Sequence, residues 1–174
     1  VWGDTVIRKL DAEEFIVHPS RILRCTVASI DRLTHDILRL HLDIQAGGPF
    51  SFSAGQYASL EFPFAPGRAR DYSMASRPDE TVLEFHIREL PGGVVSAGIA
   101  GLQIGDAVRV SGPFGTSYLR SAHEGPVLLI AGGSGLAPIR SIVSTLRASG
   151  ARNPVHAYFG GRAERDVYGE SELR

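Results

Sequence analysis

The sequence predicts a small antiparallel β barrel of about six strands with one short helix, followed by a single right-handed βαβ unit. Three observations predict it. From Ser20 to Ser111 apolar and polar residues alternate at period two; Gly, Pro, Asp and Ser clusters interrupt that alternation at short intervals; and after Gly125 the pattern changes to continuous apolar strands flanking a helical stretch. Closure suits the first part because it removes exposed strand edges.

Taken in order, residues 1–19 alternate weakly, with Asp11, Glu13 and Glu14 ahead of Pro19, and read as a tail or interdomain linker. Arg24 to Ile30 makes the first strand. In the second, Leu38, Leu40 and Leu42 alternate with Arg39, His41 and Asp43. Gln56 to Phe62 and Asp71 to Ala75 make the third and fourth. In the fifth, Leu83, Phe85 and Ile87 alternate with Glu84, His86 and Arg88, so a half-buried strand is expected. A helix from about Val94 to Leu102 is entered through Pro91-Gly92-Gly93 and left through Gly105-Asp106, and Ala107 to Ser111 completes the barrel. The boundary lies near Ser121 to Gly125, which separates a domain at 20–121 from the start of another at 122–174. There Val127 to Ala131 leads through Gly132-Gly133-Ser134-Gly135 into a helix from about Pro138 to Ala148, and Val155 to Phe159 follows. These two strands are expected to be parallel and buried on both faces. The last residues, Glu172-Leu173-Arg174, read as helix, and the chain looks like a piece of something longer.

With 43% hydrophobic and 21% charged residues, the 174-residue chain has the makings of an ordinary packed core. A formal net charge of -1 provides no uniform basic field for a nucleic acid. The single cysteine, Cys25, excludes an internal disulfide and any cysteine-ligated iron-sulfur or zinc site within the chain; it reads as a small core residue. Apolar runs fall far short of the ~20 residues that span a bilayer, and no signal-peptide pattern opens the sequence, so a cytoplasmic protein without membrane contact is expected. The six histidines show no metal-binding spacing. Gly133-Ser134-Gly135 lacks the flanking residues of a hydrolase nucleophile elbow.

Three stretches can carry chemistry. In Arg70-Asp71-Tyr72-Ser73, a guanidinium fork suits a diphosphate, an aromatic plane suits a flat ring, and a small hydroxyl can approach a ring nitrogen; an edge strand with a surface arginine is the plainer alternative. In Pro91-Gly92-Gly93-Val94-Val95-Ser96, a glycine pair opening a helix offers free N–H groups to an anion, or is simply a turn with Ser96 as a cap. Gly132-Gly133-Ser134-Gly135-Leu136-Ala137-Pro138, between strand and helix, resembles a dinucleotide fingerprint with Pro138 in place of the third glycine. The acidic residue usual at the end of the second strand is replaced by Gly160-Gly161-Arg162; Arg162 either meets a ribose phosphate or faces solvent, which leaves NADH and NADPH both open. His86 is expected to wall the site or to be solvated.

In this order, Arg70 to Ser73, Phe85-His86-Ile87-Arg88, Gly92 to Ser96, Gly112-Pro113-Phe114-Gly115 and Gly133 to Pro138 resemble the ferredoxin-NADP reductase superfamily, and within it the reductase components of aromatic-ring-hydroxylating dioxygenases of the naphthalene or carbazole type. The resemblance runs from about Ser20 to Arg174. It implies a six-stranded Greek-key FAD-binding barrel followed by the first βαβ unit of a Rossmann-like nicotinamide-nucleotide domain, with residues 1–19 the tail of a ferredoxin domain or its linker. It implies that Arg70 binds the FAD pyrophosphate, that Tyr72 packs along the isoalloxazine or ribityl chain, and that Ser73 lies near flavin N5, which makes Tyr72 and Ser73 the residues nearest the chemistry. His86, Ile87 and Arg88 would line the ribityl and phosphates, Gly93, Val94, Val95 and Ser96 would hold the pyrophosphate, and Gly133, Ser134 and Gly135 would face the nicotinamide nucleotide, with Arg162 nearby. The implied reaction moves hydride from nicotinamide C4 to flavin N5 and then single electrons to a two-iron two-sulfur cluster, held by an amino-terminal domain or a ferredoxin partner that serves a terminal oxygenase. Further strands, a Cys-Gly motif and a flavin-shielding carboxyl-terminal residue are also implied, so this stretch alone is expected to be impaired in hydride transfer. A flavin-holding relay or regulatory subunit that never meets a pyridine nucleotide is the alternative, and a structural barrel whose glycine loops are only turns is a third.

Overall fold

The structure, a computed structural model, describes residues 16–173; the expected ferredoxin tail or linker at 1–19 lies mostly outside the described residues. Strands β1 (Arg21–Arg32), β2 (Ile37–Ala46), β3 (Tyr57–Glu61), β4 (Arg70–Ser73), β5 (Val82–Arg88) and β6 (Ala107–Phe114) form one antiparallel sheet in the order β4-β3-β6-β1-β2-β5. It curls until its ends meet: Met74 bridges Phe85, and the Ala75 N–H donates to the Glu84 carbonyl at 2.7 Å. The barrel is therefore nearly closed, as the alternation predicts. Inward residues fill it, with Leu23, Leu40, Leu60, Phe85, Ile87 and Val110 all fully buried. Cys25 lies in the same core, and burial, reinforced by the Asp43 charge, pushes its thiol up to about 12, which leaves it unreactive.

The short helix α1 (Val94–Ile99) stops earlier than expected, because the Gly101 and Leu102 N–H groups turn back to Gly98 and Ile99. Strand β7 (Val127–Gly132), a 3₁₀ turn at Gly133–Gly135, helix α2 (Leu136–Ser149) and strand β8 (Val155–Gly160) make the βαβ unit, with β7 and β8 parallel in register Val127 to Val155. Helix α2 begins two residues before Pro138, which sits in its first turn, where a missing N–H costs no hydrogen bond. Gly150, at φ +68°, ends it in a left-handed cap.

Two expectations are corrected. Strands β7 and β8 are not buried on both faces: Leu128, Ile130 and Tyr158 are largely exposed, because α2 covers one face and no element among the described residues covers the other. Strand β5 is more than half-buried. Glu84 and His86, on its supposedly polar face, are as buried as the apolar residues between them, because α2 and the segment around Tyr168 lie over that face. Ile37 of β2 joins Leu129, Leu136, Ile139, Val143 and Tyr168 in a second apolar cluster, so the two units share packing. No helix among the described residues is long and apolar enough to cross a membrane.

Candidate functional site

Two of the sequence motifs, Arg70 to Tyr72 and Gly92 to Ser96, meet in one cleft. Strand β4 contributes Arg70, Asp71 and Tyr72, the loop before it Arg68, the end of β5 Arg88, and the turn into α1 Gly92, Gly93, Val94, Val95 and Ser96; together they line a cavity of about 390 Å³. Cross-strand pairing to Ala58 and Leu60 turns Tyr72 and Arg70 toward one side of β4, and Tyr72 packs against the barrel core. Burial raises the Tyr72 phenol above its usual range, although the neighbouring Arg70 charge opposes the shift. Three guanidiniums thus face one carboxylate in a space bounded by a glycine pair, a donor set suited to a diphosphate. Arg70 is exposed and spends one donor on the Ala69 carbonyl at 2.9 Å, while no carboxylate pairs with Arg68 or Arg70 among the described residues. At Gly93 an added β-carbon would meet Ser96 Oγ at 2.6 Å and the Leu90 carbonyl at 3.1 Å, so a larger residue would push the Ser96 hydroxyl off the Leu90 N–H. No side chain caps the first turn of α1.

Other expected site residues are placed differently. Ser73 pairs with Tyr57 and does not line the cleft. Ile87 points into the barrel core, fully buried. His86 neither walls the cleft nor faces solvent: it is 4% exposed, with Nε2 2.9 Å from Glu84 and Nδ1 3.0 Å from the Tyr168 hydroxyl. The Ser96 hydroxyl accepts from the Leu90 N–H at 3.0 Å, so it closes the turn on itself.

Gly133, Ser134 and Gly135 lie where β7 enters α2, and Arg88 ties this loop to the cleft. Gly133 has φ +56°, and an added β-carbon would stand 3.2 Å from Arg88 Nη1. Gly133→Ala is therefore expected to cost about 1–2 kcal/mol of left-handed strain. A thermal melt is expected to fall by about 2–8 °C, and an unchanged midpoint would contradict this account. Arg88 Nε donates to Asp36 at 2.8 Å. Burial pushes the Asp36 carboxyl up, but hydrogen bonds from Arg88 and Thr34, with the charges of Arg88 and His35, outweigh it and hold the group below its ordinary range. Arg162, just past β8, lies 3.6 Å from Asp36 and 3.5 Å from Asp166.

Several residues near these loops were not legible in the sequence. His35, Asp36 and Asp166 bring potential metal-ligating atoms within 4.8 Å of one another, a grouping that spacing along the chain does not reveal. Arg88 and Arg162 already balance both carboxylates, which makes a poor cation seat. The second missed cluster is buried Glu84, which meets His86, His41 at 3.3 Å and Arg140 of α2 at 2.8 Å. Burial drives the Glu84 carboxyl up, yet hydrogen bonds from His41 and His86 and the charges of Arg140 and His86 hold it far below the ordinary carboxylate range. Arg140 also donates to the Ala75 carbonyl at 2.9 Å, and Ser141 to the Ser76 carbonyl at 2.7 Å, so α2 is bolted to the barrel.

Comparison with known proteins gives a consistent result. Residues 24–118 match the oxidoreductase FAD-binding domain and residues 129–174 the oxidoreductase NAD-binding domain. The chain is 48% identical over 171 residues to the ferredoxin–NAD(P)(+) reductase component of the naphthalene 1,2-dioxygenase/salicylate 5-hydroxylase systems of a Ralstonia species, covering 98% of this chain and 51% of that protein. It is 45% identical over 172 residues to the corresponding naphthalene 1,2-dioxygenase system component of Pseudomonas putida, again covering 98% and 51%. Among solved structures, an Amycolatopsis cytochrome P450 reductase superposes with a TM-score of 0.81 at 38% identity, over 90% of this chain and 48% of that one. The ferredoxin reductase in carbazole 1,9a-dioxygenase gives 0.80 at 30% identity, over 91% and 48%. The chain spans about half the length of these relatives.

Proposed function

We propose, since this chain belongs to the oxidoreductases that join an FAD-binding domain to an NAD-binding domain, that it is the flavin-binding half and the opening of the nicotinamide-nucleotide half of a reductase. It would carry electrons from NAD(P)H through FAD to a two-iron two-sulfur centre that serves a ring-hydroxylating oxygenase. The observation that carries this reading is the single cleft in which Arg68, Arg70 and Arg88 surround a glycine-bordered space beside Tyr72.

Within this reading Arg70 and Arg88 grip the two phosphoryl groups from opposite strands, Arg68 adds a third cation, and the amides of Gly93, Val94, Val95 and Ser96 close the far side. Tyr72 offers its ring face to the ribityl chain or the isoalloxazine, and Ser73 stands beside it nearer the ring system. His86 and Ile87 contribute through the backbone of β5 and through packing, because their side chains point away from the cleft. Flavin, when bound, accepts a hydride and gives up electrons one at a time; the protein positions it and excludes water. Gly133, Ser134 and Gly135 face the nicotinamide nucleotide. The carboxylates of Asp36 and Asp166 beside Arg162 offset its charge, which supports NADH over NADPH as donor. With one cysteine in the chain, the cluster's ligands must come from another domain or a ferredoxin partner.

Purified full-length protein is expected to be yellow and to release FAD, identified by mass spectrometry, and stopped-flow mixing with NADH is expected to bleach the flavin. A colourless sample that takes up neither FAD nor FMN would overturn the reading. Flavin that neither NADH nor NADPH reduces would leave a flavin-holding relay or regulatory subunit instead.

A further inference from the structure

The buried polar chain that starts at Glu84 ends on the backbone of the glycine loop. Tyr168, 9% exposed, places its hydroxyl 3.0 Å from His86 Nδ1 and 3.2 Å from the Gly133 carbonyl oxygen. Its ring is held edge-on by His86 and by Phe159 of β8, with centroids at 5.4 and 5.5 Å. The Glu84 carboxylate can only accept, so His86 Nε2 carries the proton that it shares with Glu84. That fixes the imidazole ring, and with it the point from which Tyr168 is held. Burial, with the negative charges of Glu172 and Glu84, keeps the Tyr168 phenol protonated. Its single proton goes to the Gly133 carbonyl when His86, with Nε2–H on Glu84, also donates from Nδ1 to the phenol oxygen.

A trans peptide points its N–H opposite its C=O. A Gly133 carbonyl drawn inward to Tyr168 therefore turns the Ser134 N–H outward, at the mouth of a 14-residue helix whose first turn has no side-chain cap. The Gly133 carbonyl also accepts from the Leu136 backbone N–H within the 3₁₀ turn, so the Tyr168 hydroxyl is a second donor on that oxygen and fixes the tilt of a peptide whose residue lies in the left-handed region.

We propose that Tyr168 is a positioning residue for nicotinamide-nucleotide binding: its hydroxyl, steadied by His86 and Glu84, holds the Gly133 carbonyl and so presents the glycine loop's amide to the incoming diphosphate. The inference rests on reading this loop as the nicotinamide-nucleotide seat. It assigns a task to a buried tyrosine that touches neither the cleft nor the ligand.

The test uses full-length protein loaded with FAD and follows NADH oxidation with ferricyanide as acceptor. Tyr168→Phe keeps the ring and its edge contacts and removes only the hydroxyl. Its KM for NADH is expected to rise about three- to tenfold, the worth of one hydrogen bond, with kcat at saturating NADH and flavin content within about twofold of the parent. His86→Gln can still donate to Glu84 but sets a permanent second acceptor before the Tyr168 hydroxyl, and a smaller rise in KM is expected. A KM within about twofold of the parent in a flavin-loaded Tyr168→Phe protein would overturn the proposal. Loss of flavin from both variants would overturn it as well, since the contact would then serve the fold rather than the loop. Failure of the parent protein to be reduced by NADH would instead sink the reductase reading, which separates the two.

Discussion

Arg70→Glu is expected to strip the protein of its flavin. Arg70 faces a cleft where three guanidiniums meet one carboxylate, and the substitution leaves two against two. It removes a charge-assisted hydrogen bond to phosphate, worth about 1.5–3 kcal/mol, and sets a like charge against the diphosphate. A combined loss of about 3 kcal/mol corresponds to roughly a hundredfold weaker binding. Because Arg70 is exposed and its side chain bonds, among the described residues, to the adjacent Ala69 carbonyl, the apoprotein is expected to melt at the parent's temperature. Titrating apoprotein with FAD and following fluorescence quenching reads the effect. Parental affinity in the variant would mean that the diphosphate is held elsewhere.

Glu84→Gln is expected to give the largest loss of stability. It leaves Arg140 without its buried partner and deprives His86 and His41 of theirs. Breaking a buried pair from one side costs roughly 3–5 kcal/mol, and Arg140 keeps Glu172 and the Ala75 carbonyl, which argues for the lower end. About 3 kcal/mol lowers the melting midpoint by about 6–12 °C in a domain of this size. The same carboxylate makes the parent acid-sensitive. Its folded pKa lies below the ordinary glutamate value of 4.5, so its stabilisation is fully present above that pH and is lost as pH falls below it toward the folded value. Melts between about pH 7 and pH 3 are therefore expected to show a constant gap between parent and variant down to about pH 4.5 and a narrowing one below it. Parallel curves across the range would assign the acid sensitivity to other groups.

The barrel was readable because its signal is local. Alternation in β2 states which residues face inward, and the turn residues state where strands stop. The cleft was readable for a similar reason, since Arg70 to Ser73 and Gly92 to Ser96 are contiguous stretches whose residue types already suit a diphosphate. Arg68, two residues before Arg70, carries no such signal, because an arginine in a Gly-Pro-rich loop resembles any solvated one. Glu84 and His86 alternate like an outer face, since what buries them, Arg140 and Tyr168, follows 56 and 82 residues later. The pairing of Arg162 with Asp36 had the same obstacle. Polar residues that join two units carry no mark in their own neighbourhood; only the packing of α2 on β5 reveals them.

The barrel's ends are joined only beyond β4, by the Met74–Phe85 bridge and the adjacent Ala75 to Glu84 hydrogen bond, and β4 itself pairs with β3 alone. Arg70 stands on one lip of this seam and Arg88 on the other. A diphosphate gripped by both becomes a clasp across the seam and turns an open band into a hoop. Flavin loading would then resist unzipping of the cylinder as well as equip it for electron transfer, so cofactor supply would govern how long the protein survives proteolysis.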